Sequence, residues 1–205
     1  MSTRKSAPRA PTRQRLARDD RNRQLLDVAR ALIREEGSDA LSLGRLAEAA
    51  GVTKPVVYDH FGTRAGLLLA LYEEFDSRQT ASMDEALAQS RATLLERASV
   101  IAASYVACVL EQGRELPGVM AALAGSPELE QVRRDWEAGF MDKCRTALAP
   151  FIDRGELSSP ALRAMRGAAE ALSYAAAHGE ITAAQAEEEL TAVIVAMVER
   201  ARRAR

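Results

Sequence analysis

The chain has 205 residues, with 28 Lys and Arg residues against 29 Asp and Glu residues and a formal net charge of −1. This length is enough for one sizeable hydrophobic core or two small ones. Strand-favouring residues never alternate over a useful length, so we predict an all-α protein. The lack of a long apolar run argues against a membrane span, and the basic start lacks the apolar stretch of a secretory signal. Cys108 and Cys144 lie inside helical patterns as plain core residues, which fits a reducing cytoplasm.

The overall charge hides an asymmetry along the chain. Residues 1–66 carry 13 Lys and Arg against 8 Asp and Glu, a net charge of +5, whereas residues 67–205 carry 15 against 21, a net charge of −6. A basic N-terminal third with an acidic remainder is typical of a two-part DNA-binding protein. An uneven spread of surface charge would give the same numbers, so the asymmetry only supports a motif found elsewhere.

The first 20 residues are predicted to form a flexible basic arm without fixed structure in the free protein. Their basic residues are Arg4, Lys5, Arg9, Arg13, Arg15 and Arg18. In one interpretation the arm follows the phosphate backbone or places an arginine in the minor groove. In the other it is a solvated tail, and the sequence favours neither.

A helix is predicted from about Asp20 to Glu36, ending at Gly37, and two short helices joined by a tight turn are predicted to follow it. Gly51 can end the first short helix in a left-handed conformation. Thr53 is expected to cap the next helix with its hydroxyl, and Pro55 fits the first turn of that helix. The expected buried residues of these three helices are Leu25, Ala29, Leu32, Ile33, Leu43, Leu46, Ala47, Ala50, Val52, Val57 and Phe61.

The residues left on the outside of the second short helix suit a nucleic acid. Lysine, histidine and tyrosine side chains can contact phosphates. A helix fits the DNA major groove, and the residues near its start point at base edges. These outward residues are Lys54, Pro55, Val56, Tyr58, Asp59 and His60.

This segment resembles the DNA-binding domain of the TetR family of bacterial transcriptional regulators over about residues 22–72. The matching positions are Ser42, Leu46-Ala47, Ala50-Gly51-Val52-Thr53, Tyr58, His60-Phe61, Arg64 and Gly66-Leu67. The resemblance implies a helix-turn-helix domain at residues 21–66 and a helical ligand-binding and dimerisation domain at residues 67–205. Beyond the matched segment, the chain resembles the family only in length and helical character.

The resemblance also implies double-stranded DNA as a partner and assigns the residues that contact it. Lys54, Pro55 and Val56 would face bases, and Tyr58 and His60 would contact the backbone or nearby bases. Ser42 and Arg64 would hold phosphates, with Arg45 and Thr53 also at the interface. Gly44 is a departure, because some relatives place a long polar side chain near the start of that helix, and here only Arg45 could serve.

The two short helices and their turn are called the hairpin below. Six further helices are predicted after it, which gives about nine helices in all. Thr63 can cap the first of them, whose buried side would be Leu67, Leu68, Leu71, Tyr72 and Phe75. The others are expected at about residues 91–112, from Pro117 to near Gly125, from Pro127 toward Pro150 or Asp153, from a Ser159 cap with Pro160, and from a Thr182–Gln185 capping box.

The last two helices are candidates for a dimer interface. The stretch from Gly167 to Ala177 is rich in small residues, which let helices approach closely. The stripe of the last helix is Leu190, Val193, Ile194, Met197, Val198 and Ala201. Together they could form a four-helix interface across a two-fold axis, as the family resemblance implies. Alternatively, both stripes pack only within one subunit.

The resemblance implies a ligand pocket in the helical bundle. Trp136, Phe140 and Cys144 share one helical face, although such a stripe also suits a plain core. Few candidate charges accompany them, so we expect a small hydrophobic or amphipathic effector. The candidate lining residues are Tyr105, Cys108, Met120, Trp136, Phe140, Met141, Cys144 and Tyr174.

These patterns predict a ligand-responsive repressor that binds a near-palindromic operator as a dimer and is released by the effector. An activator, or a regulator controlled by a partner protein, remains the alternative. An enzyme is not predicted, because His60 belongs to the hairpin and His178 to a helix end. No metal-ligand spacing, phosphate loop or nucleophile elbow occurs in the sequence, so no cofactor or metal is expected.

Overall fold

A computed structural model of the chain describes residues 17–116, 118–123, 127–152 and 156–203. Within these residues it contains nine α-helices, two short 3-10 helices (Ser38–Ala40 and Ala149–Phe151) and no strand, so the predicted all-α fold is confirmed. The helices are α1 (Arg18–Glu36), α2 (Leu43–Ala49), α3 (Lys54–Phe61), α4 (Arg64–Gln89), α5 (Leu94–Glu115), α6 (Val119–Leu123), α7 (Pro127–Leu148), α8 (Ser159–Ala177) and α9 (Ala183–Arg203).

The apolar residues of α1, α2 and α3 form one core together with the first half of α4. All four residues of the stripe predicted for α1 are buried. Leu67 and Leu71 of α4 are fully buried against them. The same core also takes in Leu116, Val119 and Leu123, at the end of α5 and in α6. The helix-turn-helix segment therefore shares its core with residues far along the chain.

A second core lies in the bundle. Helix α9 packs against α5 and α8, and α4 and α7 pack against α5. The buried residues of α9 are Ala186, Leu190, Ile194, Met197 and Val198. Burial of this many apolar side chains is the dominant favourable term for such a bundle. None of the helices in the described ranges is long and apolar enough to cross a membrane.

Several predicted helix ends are confirmed by their capping contacts. The Thr63 Oγ1 accepts a hydrogen bond from the Gly66 N–H at 3.0 Å. The capping box of α9 is formed in both directions: the Thr182 N–H donates to Gln185 Oε1 at 2.9 Å, and the Gln185 N–H donates to Thr182 Oγ1 at 3.2 Å. Gly37 ends α1 with a positive φ of 84°.

Other predicted ends are wrong by a few residues. Helix α1 begins at Arg18, so the end of the predicted arm is helical, and residues 1–16 lie outside the described part of the chain. Helix α5 continues through Gly113 to Glu115. The cap of α8 is Ser158 rather than Ser159, because the Ser158 Oγ accepts from the Ala161 N–H at 3.3 Å.

Three limits expected for the middle helices, at Pro117, Gly125 and Asp153, also lie outside the described residues. Helix α4 is longer than its first apolar stripe indicated and reaches Gln89. At about 1.5 Å per residue, its 26 residues span roughly 39 Å. This one helix therefore links the hairpin to the far end of the bundle.

Candidate nucleic-acid interface and ligand cavity

The turn between α2 and α3 is fixed by backbone contacts and one side-chain cap. The Ser42 Oγ accepts a hydrogen bond from the Arg45 N–H at 3.1 Å and so caps α2. Gly51 has a φ of 62°, the left-handed conformation that the sequence predicted. The Val52 N–H donates to the Ala47 carbonyl at 3.0 Å, which closes the turn. Ser42 thus has a structural role in the free protein besides any contact with phosphate.

The capping role predicted for the Thr53 hydroxyl is wrong. Thr53 occupies the N-cap position of α3 in an extended conformation, but its side chain accepts no capping hydrogen bond. Pro55 has no N–H to offer, and the Val56 N–H donates instead to the Thr53 carbonyl at 3.0 Å. The exposed Thr53 hydroxyl is therefore left for other contacts at the start of α3.

Helix α3 has one buried and one exposed face. Val57 is fully buried and Phe61 is 8% exposed. Tyr58 is 53% exposed, and Lys54 and Pro55 are exposed at the start of the helix. The remaining predicted contact residues on this helix are only half-buried: Val56 and His60. The start and one face of α3 are therefore accessible to a partner.

Gly44 of α2 lies beneath the Lys54 side chain. A Cβ at Gly44 would stand 3.6 Å from Lys54 Cε and 3.9 Å from its Nζ. Because Gly44 has no side chain, the lysine has room to lie along the surface of α2. The aliphatic part of Lys54 is supported there while the ammonium group stays in solvent.

Arg45 is held by an acidic partner within the protein. Its Nη2 lies 2.5 Å from Glu36 Oε1, and its Nε donates to the other carboxylate oxygen at 3.2 Å. The hydrogen bond from Arg45 lowers the pKa of Glu36. The contact is exposed, so a phosphate can compete with the carboxylate for the guanidinium.

Arg64 is committed to the backbone of the loop before α2. Its Nε donates to the Leu41 carbonyl at 2.8 Å and its Nη2 donates to the Ser38 carbonyl at 2.6 Å. These two bonds tie the start of α4 to the 3-10 helix that follows α1. In the free protein Arg64 therefore positions α4. A contact with phosphate, as inferred from the sequence, would have to use the N–H groups of the guanidinium that are not already bonded to these carbonyls.

The end of α3 meets the start of α4 without room for a side chain. A Cβ at Gly66 would lie 2.2 Å from the carbonyl oxygen of Phe61. The residue must therefore be glycine for α4 to cross α3 this closely. Thr63 caps the same turn. The close contact at Gly66 and the Thr63 cap together fix the angle between α3 and α4.

His60 lies in a positive environment. Burial lowers its pKa first, the charges of Arg18 and Arg21 lower it further, and Asp59 opposes them. The start of α1 therefore faces the end of α3 and adds basic residues to the surface. Arg21 was not among the sequence-predicted contacts, because nothing in the sequence shows which face of α1 meets α3.

A cavity of about 620 Å³ lies between α4, α5 and α7. Four of the predicted pocket residues line it: Tyr105, Cys108, Trp136 and Phe140. Tyr174 instead lines a neighbouring cavity of about 440 Å³.

Two further predicted pocket residues pack in the second core instead of lining the larger cavity, and the side chain of a third is not described. Cys144 is fully buried in the second core, so it is a packing residue. Met141 also packs against that core. The side chain of Met120 lies outside the described part of the chain.

The expectation of a lining with few charges is wrong. Glu73, Asp76, Asp135 and Lys143 all line the larger cavity. Asp76 could have been recognised in the sequence, since it follows Leu68 and Tyr72 at four-residue spacing on the apolar face of α4.

Asp76 is a half-buried carboxylate that makes no hydrogen bond or ion pair within the described residues. Burial raises its pKa from 3.8 to about 6. Burial also raises the pKa of the Tyr105 hydroxyl and of the Cys108 thiol to about 12, so both are neutral near neutral pH. Of these three groups, Asp76 is therefore the one whose pKa lies nearest to neutral pH.

In this chain an N-terminal helix-turn-helix unit is followed by a larger helical bundle. Residues 25–78 match the sequence model of the family described as bacterial regulatory proteins, tetR family. This N-terminal segment is therefore similar to that family.

Two curated relatives match part of the chain. The transcriptional activator FasR of Mycolicibacterium smegmatis is 36% identical over 73 residues, 36% of this chain and 33% of that protein. The nucleoid occlusion factor SlmA of Haemophilus ducreyi is 30% identical over 107 residues, 52% of this chain and 50% of that protein. The chain thus spans a third to a half of the length of these relatives.

The fold extends the likeness to the bundle. A TetR/AcrR-family regulator from Thermobifida fusca superposes with a TM-score of 0.65 over 86% of this chain and 97% of that one, at 21% identity. This likeness concerns the fold alone. FasR is described as a transcriptional activator and the Thermobifida fusca protein as a transcriptional regulator.

Proposed function

We propose that this protein is a ligand-responsive transcriptional repressor that binds a near-palindromic operator as a homodimer and leaves it when a small molecule occupies the cavity. The observation that carries the proposal is the surface of α3, where Lys54 and Tyr58 are exposed over a hairpin anchored by buried Val57 and Phe61. The position of α3 relative to α4 is fixed by close backbone packing, so the contact surface is preorganised.

The DNA contacts divide into two kinds. Lys54 at the start of α3 reads a base edge, with Val56 against thymine methyl groups. Tyr58 and His60 contact the phosphate backbone, together with Ser42 and Arg45 at the start of α2. Pro55 lets the helix start approach the groove without an N–H that needs a partner.

Dimerisation through α8 and α9 is supported by the small residues that these helices leave on their surface. Ala164, Gly167 and Ala171 are exposed on α8, as are Ala192 and Ala196 on α9. Tyr174 of α8 is 60% exposed beside them. Small residues at exposed helical positions allow two bundles to pack closely across a two-fold axis.

Release of DNA follows from the length of α4. Its first turn is tied to the loop before α2 by Arg64, and its middle lines the cavity through Glu73, Asp76 and Met83. A ligand that binds one position of α4 better than another changes the distance between the two hairpins of a dimer. Two recognition helices must match half-sites about 34–36 Å apart, so a small change suffices.

Activation is the second candidate, since the relative FasR is named as an activator. Transcription in vitro from the bound promoter distinguishes the two. A repressor lowers the transcript yield and an activator raises it.

The test of the DNA-binding proposal compares two variants on specific and scrambled duplexes. Lys54→Ala is expected to lower the affinity for the specific duplex by about 10- to 100-fold and to leave scrambled DNA less affected. Tyr58→Phe should weaken both duplexes alike, because it removes a phosphate contact. Fluorescence anisotropy at several salt concentrations measures both.

The matched control is Arg91→Ala, which removes an exposed cation far from the hairpin. It should bind as the parent protein does. An equal loss on both duplexes for Lys54→Ala contradicts base readout. If the parent protein shows no salt-sensitive binding to any fragment of its own genome, the proposed function is wrong.

A further inference from the structure

The cavity between α4, α5 and α7 has an aromatic wall of three rings. The Trp136 and Phe140 rings are stacked, with centroids 5.6 Å apart and planes at 12°. The Tyr105 ring lies 5.3 Å from Phe140 and 6.3 Å from Trp136. The faces of such rings attract cations, and their area suits a flat apolar ligand.

Asp76 stands at the same wall. It lines both the larger cavity and the neighbouring one, as do Tyr105 and Trp136. Asp76 has no hydrogen-bond or ion-pair partner among the residues that the structure describes. Partial burial of such a carboxylate costs stability, because the lost hydration is not replaced by a contact with the protein. A ligand with a positive charge would supply the missing partner.

The charge around the larger cavity is negative. Glu73, Asp76 and Asp135 line it, and among the described residues of its lining Lys143 is the one cation. Lys143 forms an ion pair with Asp84, so its charge is already compensated.

The arginine that lines the neighbouring cavity, Arg166, is already paired with carboxylates. Arg166 forms an ion pair with Glu137 and lies 3.4 Å from a Glu170 oxygen. An anionic ligand would therefore meet carboxylates without a free cation among the described lining residues.

We infer that the cavity binds a lipophilic cation, with Asp76 as its counter-ion and the rings of Tyr105, Trp136 and Phe140 as its apolar wall. The volume of about 620 Å³ lies within the range of about 300–1,000 Å³ that ligand cavities show. Only the regulatory consequence of this inference, release of DNA by the cation, rests on the proposed function.

The test uses two probes of nearly equal size and shape with opposite charge, tetraphenylphosphonium and tetraphenylborate. Trp136 is the only tryptophan of the chain, so its fluorescence reports directly on the cavity. Titrations are made at pH 8, where Asp76 is ionised. The phosphonium ion is expected to change the Trp136 emission to saturation and to bind at least about tenfold more tightly than the borate.

Asp76→Asn keeps the size of the side chain and removes its charge. It should lower the affinity for the phosphonium ion by about tenfold and leave that for the borate unchanged or higher. Asp76→Glu should restore much of the preference. The matched control is Asp142→Asn, an exposed carboxylate of α7 that lines neither cavity. Thermal unfolding of each variant verifies that it is folded.

Equal affinity of the parent protein for the two probes overturns the inference, as does a loss in Asp76→Asn no larger than in Asp142→Asn. Addition of the phosphonium ion to a protein–DNA complex tests the regulatory consequence separately. If the cation binds with the expected preference and the DNA stays bound, the cavity assignment stands and ligand-controlled release is wrong. If the protein binds no DNA, the proposed function fails and the cavity assignment is unaffected.

Discussion

The side chain of Lys54 shows how a neighbour without a side chain can determine a contact. Gly44 leaves the surface of α2 low enough for the lysine to lie across it. A side chain longer than alanine at this position would compete with Lys54 for the same surface, since even a Cβ would lie 3.6 Å from Lys54 Cε.

His60 is expected to couple DNA binding to pH. Burial and the charges of Arg18 and Arg21 keep its pKa low in the free protein. A phosphate beside the ring favours the imidazolium form, so binding raises this pKa and takes up a proton. The affinity for DNA should therefore rise several-fold as the pH falls from about 8 to about 6. Anisotropy titrations at constant ionic strength measure this slope.

The variant His60→Gln should remove that part of the pH dependence. His178→Gln is the matched control, because His178 lies exposed at the end of α8. A slope in His60→Gln as steep as in the parent protein would show that the ring does not sit beside a phosphate.

At the level of single elements, the close crossing of α3 and α4 depends on Gly66. In Gly66→Ala the new Cβ would overlap the Phe61 carbonyl, so α4 has to move away from α3. We expect a loss of roughly 2 kcal/mol in the free energy of unfolding, typical of overpacking. Urea unfolding measures the loss, and DNA titration of the folded variant should show weaker binding because α3 is turned.

Gly113→Ala is the control for this change. Gly113 also lies within a helix, but nothing stands within 4 Å of its missing Cβ. This substitution should raise the free energy of unfolding by about 0.5–1 kcal/mol, because alanine favours the helix. A Gly66→Ala protein that unfolds at the parental urea concentration would contradict the steric argument.

The helices and their buried faces were predictable because apolar periodicity and capping residues are local signals, as at Thr63 and in the Thr182–Gln185 box. Gly113 misled because an exposed glycine inside a long helix costs only about 1 kcal/mol, which tertiary packing overrides. Ser158 and Ser159 are equally good caps in the sequence, and packing selects between them.

The partners of charged residues could not be predicted in the same way. Arg64 bonds to carbonyls 23 and 26 positions earlier, and Arg45 pairs with a carboxylate nine positions away. Such contacts depend on how helices are placed in space. The aromatic wall was partly predictable, since two of its rings share one face of α7, whereas the third comes from α5.

At the scale of the whole molecule, the proposed dimer can be broken by one charge. Ala171→Arg places a long cation on the exposed small-residue face of α8. We expect the protein to become monomeric and its affinity for a two-half-site operator to fall by on the order of 100-fold, because the second hairpin is no longer tethered. Sedimentation velocity and anisotropy measure the two effects.

Ala88→Arg is the matched control, since this alanine is exposed near the end of α4, away from α8 and α9. It should leave both the oligomeric state and the operator affinity as they are. A dimer that survives Ala171→Arg would place the interface elsewhere.

The core shared between the hairpin and α6 has a practical consequence for building chimaeras. Leu116, Val119 and Leu123 pack against the same apolar cluster as α1, α2 and α3. A designer who transplants only residues 17–66 onto a foreign sensory bundle would strip that cluster of part of its cover. A functional graft has to carry α4 through Phe75. It also has to carry residues 116–123 in place of the corresponding segment of the recipient, so the unit to be exchanged is discontinuous in sequence.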